Sequence, residues 1–238
     1  MVTSRTSVRT ELKSLADPEK ATQLARFFKT GPGQYGEGDI FYGITVPMQR
    51  SVAKKYSALP RKEVTALLRS EVHEERLTAL LILVEQYRKQ PDAREEIIRE
   101  YLANTRWINN WDLVDLSAPR ILGAYLVDHD RSILYELATS EVLWEKRISI
   151  IATFAFIDQG ESHDALQIAE ILLSDSHDLI HKAVGWVLRE VGKKCGQKTE
   201  EAFLKEHYAA LPRTTLRYAI ERFPEALRLR YLRGELLP

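Results

Sequence analysis

Trp111 and Asp115 stand four residues apart. On a helix, that spacing puts both side chains on one face. An indole presents the negative face of its quadrupole and an ionised carboxylate presents a full charge, so together they form a receptor for a developing cation. The pair also breaks a pattern. Glu75-Arg76-Leu77, Trp111-Asp112-Leu113, Lys146-Arg147-Ile148, His181-Lys182-Ala183 and Leu216-Arg217-Tyr218 align with central residues 36, 35, 35 and 35 positions apart. Four of the five centres are basic. In the second stretch, Trp111 replaces Lys146 and His181 of the next two repeats, and Asp115 falls where the others carry Ala79, Ile150, Gly185 and Ile220.

A fixed period in this range marks a helical-repeat array, in which each unit buries its apolar face against its neighbours. The expected fold is therefore all-α: a HEAT-like solenoid of helix pairs forming a curved superhelix, one domain over 1–238. Asp17-Pro18 reads as an N-cap with Pro at the first helical position, and further helices are expected over 47–57, 61–69, 73–88, 93–104, 109–125, 131–139, 142–158, 163–173, 178–194, 200–208, 214–222 and 225–233. Gly31, Gly33, Gly36 and Gly38 crowd one segment. Without a preceding strand or a following Gly-Lys-Ser/Thr, it reads as a loop and not a phosphate cradle.

Composition narrows the function. With 34 Lys+Arg against 34 Asp+Glu, the net charge is zero, yet residues 181–238 carry 12 basic against 7 acidic side chains. That asymmetry is compatible with a nucleic-acid face at one end. The lone Cys195 permits no internal disulfide. The N-terminus lacks the apolar core of a signal peptide, and the apolar run 148–157 is too short to span a membrane. A cytoplasmic location is expected. His177 and His181 share a helical face, but no third ligand accompanies them, and no metal or cofactor is expected.

Each feature has a bland alternative. Arg76, Arg147, Lys182 and Arg217 form a row suited to phosphates, or each braces the next repeat by an ion pair. Asp115 bonds a neighbouring helix terminus and Trp111 packs as core, or the two serve chemistry. Trp186 aligns with Leu80, Leu116, Ile151 and Glu221, mostly apolar, so the period assigns it to the core.

Trp111-Asp112-Leu113-Val114-Asp115, Trp144-Glu145-Lys146-Arg147 and the run Lys182 to Glu190 (KAVGWVLRE) resemble the AlkD-type alkylpurine DNA glycosylases. The resemblance extends to residues 17–21, 25–27 and 43–47, covering most of the chain to about 195. The 31–38 segment stands as an insertion, and Phe27 replaces a Tyr found in some members. The resemblance implies a catalytic cleft of Trp111, Asp115 and Trp186, against the core reading of Trp186. It implies a phosphate contact at Arg147 and leaves Trp144 structural. Lys182, Arg189 and Arg50 are further candidates for DNA binding. The implied activity is monofunctional hydrolysis of the N-glycosidic bond of cationic N3- or N7-alkylated purines in duplex DNA, without base flipping. The expected partner is double-stranded DNA carrying such lesions, with no membrane and no obligate protein partner. The competing reading is a non-catalytic HEAT-like scaffold that binds DNA or a protein on the same concave face.

Overall fold

A computed structural model describes residues 4–235. The chain is all-helical, with the helix pairs of a helical-repeat fold, and divides into two compact units, Met1–Ser117 and Ala118–Pro238. Among the described residues the only β-pairing is a single parallel bridge between Ile40 and Val72.

The first unit contains α1 (Arg5–Ser14), α2 (Pro18–Phe27), α3 (Val46–Lys55), α4 (Arg61–Leu68), α5 (His73–Lys89), α6 (Arg94–Leu102) and α7 (Trp111–Ser117). Asp17 caps α2 as expected, accepting the Lys20 amide at 3.0 Å with Pro18 at the first position. The spine is α5. Residues 73–83 are buried on every face because α3, α4 and α7 pack around them, so Leu77, Leu80, Ile82 and Leu83 lie in the core. The acidic N-terminus of α5 is buried too, and each carboxylate there is met by donors. Glu74 accepts the backbone amides of Tyr42, Gly43 and Ile44 at 3.0, 2.8 and 3.2 Å, and Glu75 accepts Arg9 at 2.7 Å and the Tyr42 hydroxyl at 2.9 Å. Such pairing is what makes a buried carboxylate tolerable.

The second unit contains α8 (Leu122–Leu126), α9 (Ser132–Ala138), α10 (Leu143–Ala152), α11 (Phe154–Ile157), α12 (His163–Leu172), α13 (Asp178–Lys194), α14 (Gln197–Glu206), α15 (Arg213–Ala219) and α16 (Glu225–Arg233). Here α13 is the spine, packed by α10, α12, α14 and α15. A Cβ on Gly185 would stand 2.5 Å from both the Thr215 carbonyl oxygen and Tyr218 Cβ. The missing side chain lets α15 lie directly on α13.

Several expectations change. The helix α1 was not anticipated. The expected helix 109–125 is broken by a 3-10 turn at Ala118–Arg120, where Pro119 disfavours helical geometry in the residue before it. The boundary between the units falls in this break. The expected helix 142–158 is divided at Thr153, whose hydroxyl bonds back to the Ile150 carbonyl at 2.6 Å. Segment 31–38 is irregular, as expected. It is tied back under α2 by the Gly36 amide, which donates to the Lys29 carbonyl at 3.1 Å.

Candidate functional site

Trp111 opens α7, and Asp115 follows one turn on. Both are half-buried, whereas Ala79, Ile150, Gly185 and Ile220 at the Asp115 register are all buried. The carboxylate thus occupies a core position of the repeat at a place where the surface reaches it. Behind it, the buried Tyr101 hydroxyl lies 3.0 Å from Ser117 Oγ. Burial pushes the Tyr101 phenol upward, and the Asp115 charge adds to that push.

The Trp111 indole packs against a cluster of three mutually touching rings, Phe28, Phe41 and His73. It stacks on Phe28 with centroids 5.1 Å apart and planes at 20°. Phe28 stacks on Phe41 at 5.2 Å, and Phe41 on His73 at 4.6 Å. Phe27 meets Trp111 edge-on at 5.8 Å and is 61% exposed. Offset and edge-to-face pairs of this kind each contribute about 0.5–1.5 kcal/mol beyond burial. Trp111 is therefore neither plain core nor a free-standing indole. One side is packed, and the ring remains partly open.

Through His73 the rings join a buried polar cluster. His73 Nδ1 lies 3.0 Å from Asp39 Oδ2 and its Nε2 lies 2.8 Å from Asp112 Oδ2, while Arg76 bonds Asp39 Oδ1 at 2.6 Å and the Ser70 carbonyl at 3.0 Å. Burial pulls the imidazole pKa down. The Asp112 charge and the bonds to both carboxylates more than offset that, raising it to about 9. Arg76 is thus a buried ion-pair partner and not a member of an exposed basic row.

The remaining candidates lie elsewhere. In the first unit, Arg50 is exposed on α3. In the second unit, Arg147 on α10 is 5% exposed and donates from Nη1 to the Leu179 carbonyl on α13 at 2.6 Å. Lys182 is half-buried with its ammonium 2.7 Å from Asp178. Arg189 pairs with Glu221, and its Nε is buried without a partner. Trp186 is half-buried and meets Phe154 with centroids 4.7 Å apart, more open than its buried equivalents Leu80 and Ile151. Trp144 is buried. Of the basic row, Arg217 is exposed. His177 caps α13 by accepting the Leu179 amide at 3.1 Å, and His181 Nε2 lies 2.6 Å from the Asp175 carbonyl. Both therefore do more than decorate a surface. Among the described residues, no group of three or more His, Cys, Asp or Glu is placed to hold a metal ion, and no helix is long and apolar enough to cross a membrane.

Sequence reading missed Phe28, Phe41, His73, Asp39 and Asp112. One signal could have found Asp112: it is the only acidic centre among the five repeat centres, so it calls for a positive partner.

The class the fold defines is a helical-repeat protein, with Trp111 and Asp115 half-buried one turn apart on α7. Comparison with known families makes it specific. A family model described as DNA alkylation repair enzyme matches residues 8–223, and the chain belongs to that family. Its fold is similar to that of a solved structure of a predicted DNA alkylation repair enzyme from Enterococcus faecalis. The TM-score is 0.68 at 17% identity, covering 88% of this chain and 97% of that one. No curated protein matches the chain.

Proposed function

We propose that the protein is a monofunctional DNA glycosylase acting on N3- and N7-alkylated purines in duplex DNA. The observation that carries this reading is Asp115, half-buried at a register where every other repeat is buried core, one turn from the stacked indole of Trp111. Alkylation at N3 or N7 makes the purine cationic. Cleavage of the C1′–N bond sends its electron pair to the base, which leaves neutral without protonation. Positive charge builds on the deoxyribose, as in other glycoside transition states. The Asp115 carboxylate stabilises it and orients the water that adds to C1′, and that water's proton is lost to solvent or to the carboxylate. The indole face of Trp111 adds cation–π attraction of about 0.5–2 kcal/mol. By resemblance of the Gly185-Trp186-Val187-Leu188-Arg189 run, Trp186 supplies a second indole. Arg147, Lys182, Arg189 and Arg50 are the proposed phosphate contacts. The intrachain bond of Arg147 must then be shared or exchanged when DNA binds. One carboxylate and open indoles suit a mechanism that works on the sugar while the base stays stacked.

The test is release of 7-methylguanine from methylated duplex DNA. The wild type should release it under single-turnover conditions. Asp115→Asn keeps the shape and removes the charge, and should slow release by roughly 10²–10³ with duplex binding retained. DNA binding without any release would favour the scaffold reading.

A further inference from the structure

We propose that His73 is a positioning residue of this site, clamped between Asp39 and Asp112 so that it fixes both the start of α7 and the ring cluster on which Trp111 rests. The inference rests on the glycosylase reading for its catalytic consequence, but not for the clamp itself.

The geometry determines the protonation. Both ring nitrogens face carboxylate oxygens, at 3.0 and 2.8 Å. An ionised carboxylate only accepts, so both nitrogens must donate, and only the imidazolium does that. A further donor on the other oxygen of each carboxylate favours the ionised acid over the protonated one. Asp39 also accepts Arg76 at 2.6 Å, and Asp112 Oδ1 also accepts the Leu113 amide at 2.9 Å. Two cations, His73 and Arg76, thus balance two anions in a buried cluster. The other acids at this end of α5 are engaged elsewhere: Glu74 by the amides of 42–44, and Glu75 by Arg9 and Tyr42. Just past α2, the Phe28 ring faces the imidazole, 4.8 Å away. The high pKa of the ring agrees with this arrangement.

Two routes lead from His73 to the site. One runs through rings, with Phe41 and Phe28 against the imidazole and Trp111 on Phe28. The other runs through the chain. Asp112 directly follows Trp111 and precedes Asp115 by three residues, so its bond to His73 holds the first turn of α7. A neutral ring would leave one buried carboxylate oxygen without its donor, and the turn carrying both proposed catalytic side chains would lose an anchor. A misplacement on the order of 1 Å costs about 10²-fold in rate.

The experiment has two independent arms. In the first, ¹⁵N NMR of the wild-type protein at pH 7.5 reads the protonation of His73. Both ring nitrogens should be protonated, and a neutral ring overturns the proposal whatever the activity. The same spectra should show the Trp111 indole resonance displaced in His73→Gln. An unmoved resonance in a folded variant also overturns it. In the second arm, single-turnover release of 7-methylguanine is followed against pH. The wild-type rate should fall as pH rises through about 9. In His73→Gln the rate at pH 7.5 should fall by roughly 10–10² with duplex affinity unchanged, and the alkaline limb should vanish. A full rate with the limb intact overturns the proposal. If the wild type releases no 7-methylguanine, the glycosylase reading fails, and the first arm still decides the clamp. If His73→Gln does not fold, the wild-type protonation and alkaline limb remain decisive.

Discussion

Replacing Arg147 with Ala separates two jobs that one side chain could do. Its guanidinium lies in the joint between α10 and α13, 5% exposed, with Nη1 on the Leu179 carbonyl at 2.6 Å. Losing a hydrogen bond from a charged donor costs about 1.5–3 kcal/mol. Removing the packed aliphatic stem adds roughly another 1 kcal/mol. The sum is about 2.5–4 kcal/mol. For a chain of this size, each kcal/mol shifts Tm by about 2–4 °C, so Tm should fall by roughly 5–16 °C. Calorimetry or helical circular dichroism reads this directly. Duplex binding measured across salt concentrations reads the second job, because each lost phosphate contact lowers the salt slope by about one. Arg147→Lys keeps the charge but not the planar fork, so it should hold the salt slope while regaining little of the Tm. A Tm unchanged in Arg147→Ala would refute the reasoning from burial, whatever happened to binding.

Three further outcomes are expected. Glu200 on α14 is buried, and burial, with the charge of Glu201 adding and Arg189 opposing, raises its carboxyl pKa to about 8. The folded state then holds the proton more tightly than the unfolded chain, so Glu200 costs stability as pH rises from its ordinary 4.5 through 8. The Tm advantage of Glu200→Gln over the wild type should grow between pH 5 and pH 9, and an equal difference at both would contradict this. Gly185→Ala should destabilise by about 1–3 kcal/mol in denaturant titration, because the added methyl meets the α15 backbone. A neutral effect would mean that α15 moves freely. Uracil and hypoxanthine in duplex DNA should not be released, since the proposed site offers no acid to protonate a neutral leaving base. Product analysis showing efficient uracil release would refute the single-carboxylate mechanism.

The helical class and the Trp111–Asp115 pair of the candidate site could be read from residues alone, for identifiable reasons. The 35-residue period survives in the sequence because each repeat buries the same register, so the departure at Asp115 stood out against Ala79, Ile150, Gly185 and Ile220. Capping at Asp17 was legible because it is local. What stayed hidden is non-local. Asp39, His73 and Asp112 are brought together from segments more than thirty residues apart, and nothing in the neighbourhood of His73 sets it apart from a helix-start histidine. The division at Thr153 lies in a continuous apolar run whose periodicity carries no stop signal. Burial of Arg76 and Arg147 was equally invisible, because a periodic arginine looks the same whether it faces a phosphate or a buried acceptor.

The carboxylate of Glu74 has a consequence for how the first unit opens. It gathers three successive amides, Tyr42, Gly43 and Ile44, from a segment that is not helical. Amides in such a segment ordinarily exchange with solvent deuterium within the fast, frayed fraction of a protein. These three are sealed against a buried acid, so they exchange only when the strap lifts from α5. Asp39, three residues before Tyr42, bonds His73 and Arg76, so a lifting that reaches it releases both. The deuteration half-lives of three loop amides thus form a clock for the opening of the cluster around His73, readable in the native protein with no substitution and no DNA present.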